Sequence, residues 1–313
     1  MEQLLFSLLN GVIYGLLLFM VSAGLTLIFG MMGVLNFAHA SFYMLGAYFA
    51  YTLQGLIGFW PAVILSPVLV GLVGVVVERY FLRRVHRHGH AHELLLTFGL
   101  SFIIAESIKL FYGNYPVDYH LPSSLDFSAF SIGSTQYAAY RLIMGGIAIA
   151  MFIAIYLALT RTRVGIVVRS AIHRPNMAEA LGHNVPLVFM GVFGAGAALA
   201  GLAGAVAGAF YTTNPNMALE LGVMVFVVVV VGGLGSLPGA MLASLLIGII
   251  TSMAVGVDRS LADLFDLIGA GDWARGVGGL LTLKVSSLAA TLPFALMLLV
   301  LLLRPGGLMG EKE

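Results

Sequence analysis

The chain has 313 residues, is 60% hydrophobic and only 9% charged, and has a mean hydropathy of +1.02, whereas a water-soluble domain carries about 25% charged residues. A soluble core of this size cannot hide so much apolar surface, so lipid is the solvent, and apolar runs that do not alternate exclude a β-barrel. A net charge of +1 gives no case for nucleic acid, and the lack of cysteine excludes disulfides, Cys-ligated zinc and iron–sulfur clusters.

The fold class is therefore all-α: a polytopic transmembrane helical protein of eight to ten spans. A span needs about 20 mostly apolar residues. The pattern predicts spans near 4–28, 41–57, 61–82, 94–112, 138–160, 187–211, 219–232, 239–257 and 281–303. Met1 to Asn10 lacks a basic n-region, so no removable signal peptide is expected. Arg79, Arg83, Arg84 and Arg87 follow the third span, Arg161, Arg163, Arg169 and Arg174 the fifth, and Arg304 and Lys312 the last. Basic loops face the cytoplasm. The N-terminus is then outside and the C-terminus cytoplasmic. The outer loops are 113–137, with Asp118 and Asp126, and 258–280, with Asp258, Asp263, Asp266 and Asp272. One transmembrane domain, 1–313, is expected, with a cytoplasmic basic, histidine-rich loop at 83–93 and a second cytoplasmic loop at 161–186.

From Gln3 to Val77 there is no Asp, Glu, Lys or Arg, yet VLNFAHASFYMLGAY (Val34 to Tyr48) holds Asn36, His39 and Ser41 close together. Backbone that leaves helical geometry inside lipid needs hydrogen-bond partners. These side chains can cap a helix end, with Ser41 as N-cap of the second span, or line a polar solute's path with Tyr43. Either way Asn36 and His39 face protein or a cavity. A second interruption, GGLGSLPG (Gly232 to Gly239), follows in the other half. It reads as a tight turn opening a helix at Pro238, or as a gate formed by Gly233, Gly235 and Ser236. Paired Gly/Pro interruptions in two halves point to broken helices around a pathway and to a possible internal repeat.

Between these breaks, His86, His88, His90 and His92 alternate in VHRHGHAHE. A solvated, headgroup-facing loop is favoured there over a metal site. Glu106 and Lys109, at i,i+3 spacing, pair with each other near a span end. Glu220 is a first-turn helix charge. So few embedded ionisable groups argue against a proton-coupled carrier, and no catalytic or metal-binding set appears.

The segment RTRVGIVVRSAIHRPNMAEALGHNVP (Arg161 to Pro186) is too polar to span. Ile166, Ser170, His173 or Arg174, Met177 and Leu181 recur at helical spacing. Pro175 splits the run into two short helices, and Gly182 ends it. Small residues Ala171, Ala178 and Ala180 on one face and Glu179 on another suit docking in a partner's groove; lying against lipid headgroups is the alternative.

Together, GLLLFMVSAGLTLIFGMMGVLNFAHASFYMLGAY, RTRVGIVVRSAIHRPNMAEALGHNV, GGLGSLPGAMLASLLIGI and the closing LLLRPGGLMG resemble the permease subunits of ABC importers for branched-chain (hydrophobic) amino acids. The resemblance covers nearly the whole chain. It implies a non-enzymatic permease of the bacterial inner membrane that works by alternating access. It also implies two ATP-binding subunits carrying ATP and magnesium, a second and paralogous permease, and a periplasmic binding protein. No cofactor would be bound by this chain itself. Arg169, Met177, Glu179, Ala180, Leu181 and Gly182 would lie on or near the coupling helix. The histidine-rich loop and the outer segment Asp258 to Lys284, with DRSLADLFDLIGAGDWARG read as one short amphipathic helix, depart from the family pattern. That leaves urea, short amides or aromatic acids open as substrates of the same importer type. A stand-alone secondary carrier and an intramembrane enzyme are the readings from other classes.

Overall fold

A computed structural model describes residues 2–132, 135–173, 175–257, 260–266 and 269–310. Arg174, Asp258 and Lys312 therefore lie outside the described residues. The long helices are α1 (Glu2–Met32), α2 (His39–Ile57), α3 (Phe59–Val77), α5 (His90–Tyr112), α6 (Ala139–Arg161), α9 (Val185–Gly208), α10 (Met217–Gly232), α11 (Leu237–Gly256) and α15 (Leu292–Leu303). A three-residue helix, α4 (Arg83–Val85), extends α3, and α7 (Arg163–His173) and α8 (Pro175–Ala180) fill the segment before α9. Among the described residues, α1, the α3–α4 run, α5, α6, α9 and α11 are long and apolar enough to cross a membrane, while α10 and α15 are shorter apolar helices. The chain is a multi-pass helical membrane protein.

Helix α1 is central: 78% of its most apolar stretch is buried, against 17% for α5. It packs on α11, α9, α6 and α10, while α9 also packs on α2 and α3. Lipid supplies no hydrophobic drive between helices, so close backbone approach must. At the α2–α9 crossing a methyl on Gly204 would sit 1.9 Å from the Tyr43 carbonyl oxygen, and one on Gly46 2.1 Å from that of Gly201. No side chain fits there.

The segment after α5 folds back over α9. Tyr119 donates to the Ala205 carbonyl and Tyr140 to the Val206 carbonyl, both at 2.7 Å. A hairpin of β1 (Ser128–Ile132) and β2 (Thr135–Ala138) follows, antiparallel with a register shift near Phe130. The apolar pattern did not predict it.

Three expectations need correction. The last span does not begin at 281: short turns, including α14 (Val285–Leu288), precede α15 at Leu292. Lys284, Ser286, Ser287 and Thr291 interrupt the apolar run there, and Pro293 suits the first turn of the new helix. The outer segment is two helices, α12 (Leu261–Phe265) and α13 (Gly271–Val277), not one, with Gly269 at φ +72° in the turn between them. Arg275 ties the pair together, donating to Asp266 at 2.7 Å and Asp272 at 3.2 Å. Those bonds hold the Asp266 carboxyl below the usual carboxylate range. Finally, the 83–93 region is mostly helical: α3 runs through a π-turn (Glu78–Leu82) into α4 before a 3₁₀ turn at His86–His88.

Candidate functional site

Helix α1 ends at Gly33, which takes φ +66°, and the chain stays non-helical to Ala38. Two backbone donors freed there find side-chain partners. The Ala38 amide donates to Asn36 Oδ1 at 3.1 Å, and the Phe37 amide to Thr97 Oγ1 of α5 at 3.2 Å. No side chain caps α2, whose N-cap is Ala38; Asn36 instead holds the turn just before it. Helix α2 begins at His39, so Ser41 is a buried first-turn residue rather than the N-cap.

Asn36 and His39 are 3% and 1% exposed, inside protein rather than lipid. His39 Nε2 lies 2.9 Å from the Val21 carbonyl oxygen of α1. A carbonyl only accepts, so Nε2 carries the proton and Nδ1 is left as an acceptor. His39 Nδ1 and Asn36 Nδ2 are both buried without a protein partner. Asn36, His39 and Ser41 line one cavity of about 320 Å³ between the break, α5 and α10. Its walls include Phe98, Phe102, Ala105, Gly222 and Phe226, and its rim holds Asn216 and the Lys109–Glu106 pair at 2.6 Å. Phe37 stacks on Phe226 at 6.2 Å. Sites for small organic molecules are of this kind: mostly apolar, roughly 300–1,000 Å³, with a few placed polar groups.

The other predicted pathway residues lie elsewhere. Tyr43 is buried against α9. Gly233 and Gly235, at φ +101° and +85°, form the second break, and Ser236 Oγ caps α11 by accepting from the Gly239 amide at 3.2 Å. A methyl on Gly235 would meet Gly30 of α1 at 2.8 Å, and one on Gly233 would meet Gly310 at 2.4 Å. The closing RPGGLMG segment caps α10: Leu308 donates to Val231 at 2.8 Å and Met309 to Gly232 at 3.1 Å. The second break thus packs on the last turns of α1 and on the closing segment, and Gly233, Gly235 and Ser236 do not line the cavity.

In the 161–186 segment, α7 and α8 divide at Pro175. Gly182, at φ +89°, ends α8 with Gly182 N–H to Glu179 at 2.9 Å and His183 N–H to Ala178 at 3.0 Å. That is the paired bonding of a Schellman C-cap. Ala171 and Ala178 are buried against Val185 of α9, whereas Met177 and Leu181 are 57% and 76% exposed. Arg169, Glu179, Ala180 and Gly182 are exposed as well. Glu179 also borders a cavity of about 620 Å³ shared with Gly33, Glu78, Arg83 and His86.

Sequence reasoning missed Glu78, and it missed the pairing that Glu93 makes. Glu78 is 2% exposed and takes two bonds from Arg83, at 3.1 and 2.8 Å; Arg83 also donates to the Pro186 carbonyl at 2.7 Å. Residues five apart do not share an α-helical face. The π-turn brings them together, and no local pattern announces it. Arg83→Ala strands a buried carboxylate. Because Arg83 is itself partly exposed, a loss of about 2 kcal/mol is expected, below the range for fully buried pairs, with Arg83→Lys retaining part. Thermal unfolding in detergent reads it; unchanged stability in Arg83→Ala would make the pair incidental. Glu93, 1% exposed, accepts from His86 and, at 3.2 Å, from His90. Two of the four imidazoles are therefore engaged rather than simply solvated. Among the described residues no cluster of His, Asp and Glu is arranged to hold a metal ion.

Membrane-length helices, with a solute-sized cavity at a helix break, define a multi-pass membrane protein. The chain belongs to the family of branched-chain amino acid transport system permease components, whose model matches residues 7–302. It is 29% identical to the high-affinity branched-chain amino acid transport system permease protein LivH of Escherichia coli (strain K12), covering 100% of this chain and 98% of that one. It is 27% identical to the corresponding protein BraD of Pseudomonas aeruginosa, over 98% and 96% of the two chains. It is 28% identical to a probable permease LivH of Methanocaldococcus jannaschii, over 96% and 91%. No solved structure matches.

Proposed function

We propose that this chain is the transmembrane subunit of an ATP-driven ABC importer that moves branched-chain amino acids across the bacterial inner membrane by alternating access. The observation that carries the reading is the cavity at the α1–α2 break, where two buried polar atoms have no protein partner. Asn36 Nδ2 offers a donor and His39 Nδ1 an acceptor, matching the carboxylate and ammonium of an amino acid. The apolar wall of Phe98, Phe102 and Phe226 suits a branched aliphatic side chain. Ser41 belongs to the same wall. Tyr43, Gly233, Gly235 and Ser236 serve the path through the packing of α2, α1 and α11. The arginine-rich end is cytoplasmic and the N-terminus periplasmic. The whole chain is one permease domain, with 113–137 and 258–280 on the periplasmic side.

The segment 161–186 couples this movement to two ATP-binding subunits, which hold ATP and magnesium and carry out the hydrolysis. Met177 and Leu181 are its apolar anchors, with Arg169, Glu179, Ala180 and Gly182 around them. A second, paralogous permease and a periplasmic binding protein complete the assembly. The cavity shared by Glu179 and Gly33 connects this surface to the helix break. Glu179→Lys is expected to leave the complex assembled but uncoupled, with uptake down about tenfold and ATP hydrolysis no longer stimulated by solute. Normal uptake would remove Glu179 from coupling.

The direct test is uptake of labelled leucine into proteoliposomes holding this chain with its co-encoded subunits. Uptake only with enclosed ATP is expected. One observation favours a second reading: Glu106, Lys109 and His39, the groups an ion-coupled carrier would use, border the same cavity. Uptake by this chain alone, without ATP, would establish that reading instead.

A further inference from the structure

At the end of the molecule away from the arginine clusters, Arg141 stands in the first turn of α6. It is partly buried, and an ionisable group within a spanning helix persists where it has a task. Its guanidinium is clamped by aromatic rings, with Cζ 5.4 Å from the Tyr137 centroid and 5.1 Å from that of Phe210. Nη1 donates to Asn10 Oδ1 of α1. Among the described residues no carboxylate pairs with it. A guanidinium has five N–H donors, and ring faces and one amide oxygen engage only part of them.

Arg141 borders a pocket of about 210 Å³ between α1, α6 and α11. The lining also contains Tyr14, Tyr211, Thr251 and Ser252, four hydroxyl-bearing residues. Ser252 donates to the Ser7 carbonyl at 2.7 Å. The buried Thr251 hydroxyl has no protein partner, not even the carbonyl one turn back that a helical threonine normally finds. An oriented cation without a counter-charge and an unspent hydroxyl thus converge on one pocket.

We propose that this pocket binds an oxyanion, held by the free N–H edge of Arg141 and by the Thr251 hydroxyl. Planar oxyanions suit a guanidinium because two parallel hydrogen bonds form at once. A carboxylate of a small solute and the phosphate of a lipid headgroup share this chemistry. The solute source rests on the transport reading above. The test uses no ATP and no partner subunit, so it fails or succeeds separately from ATP-driven uptake.

The full chain, purified into nanodiscs, is titrated with isovalerate and with its uncharged analogue isovaleramide while thermal unfolding is followed. Native mass spectrometry of the same samples reads co-purified phosphatidylglycerol. Saturable stabilisation by isovalerate alone is expected, weakened at least about tenfold in Arg141→Gln, partly kept in Arg141→Lys, and weakened in Thr251→Val. Phosphatidylglycerol retained by the wild type and lost in Arg141→Gln, with isovalerate silent, assigns the site to a lipid phosphate. Equal responses to isovalerate and isovaleramide, or an unchanged response in Arg141→Gln, overturn the proposal. So does the absence of both isovalerate binding and retained lipid. Should Arg141→Gln not fold, unchanged binding of either anion in Thr251→Val and Tyr211→Phe overturns it too.

Discussion

Gly204→Ala is expected to destabilise the folded protein sharply and to lower its yield in the membrane. The new methyl would lie 1.9 Å from the Tyr43 carbonyl oxygen and 3.0 Å from the Ala47 amide nitrogen. Both are backbone atoms in the middle of α2, so no rotamer change relieves the overlap. Helices α2 and α9 would have to separate, and α9 also carries α1 and α3. Overpacking of a rigid interior commonly costs 1–3 kcal/mol; a backbone clash at this crossing belongs at the top of that range, about 3 kcal/mol. A marginally stable protein loses much of its margin to such a change. Gly146→Ala is the control. It is a helical glycine with open space at the same position, and alanine there is expected to be neutral or stabilising by about 0.5–1 kcal/mol through reduced chain entropy. Fluorescence-detected size exclusion with thermal melting compares the two. A monodisperse Gly204→Ala protein of unchanged melting temperature would mean that α2 and α9 do not cross this closely.

The contrast between those two glycines shows where the sequence stopped being legible. With 39 glycines in the chain, abundance alone cannot separate a contact glycine from a spare one, because the difference lies in the partner helix. The long spans were legible since each is a continuous apolar run. Both helix breaks were legible too, because glycine and polar residues inside lipid have few other uses. What failed was geometry fixed at a distance. Ser41 looked like a cap by residue type, but Thr97 of α5 and Asn36 supply the partners, and helix α2 starts two residues earlier. The Glu78–Arg83 pair has a spacing of five, which only a π-turn makes adjacent. Arg141 sat unremarked at a span boundary, since nothing local shows that Tyr137 and Phe210 clamp it. The last span was overextended because Leu280–Leu283 continue the apolar pattern in composition while the polar residues behind them end it.

Those distinctions also decide how the cavity is best tested. Removing Asn36 or His39 would disturb the helix break and the transport path together, so loss of uptake in either would not separate the two roles. Ala105→Trp does. Ala105 borders the cavity from α5, the least buried of the membrane-length helices, and is itself only partly buried. A larger side chain can therefore enter the cavity without displacing a packed core. An indole in a space of about 320 Å³ would occupy much of the room a branched-chain amino acid needs. Uptake is expected to fall at least about tenfold, or 1.4 kcal/mol, while expression and melting temperature stay near wild type. Leu110→Trp, four-fifths exposed on the same helix and absent from the cavity lining, should transport normally. If Ala105→Trp transports as well as Leu110→Trp, the solute passes elsewhere, and Asn36 and His39 revert to holding the helix break. If only Ala105→Trp is blocked and the complex still assembles, the break and the path are one structure: the polar groups that satisfy the interrupted backbone also leave one donor and one acceptor for the solute.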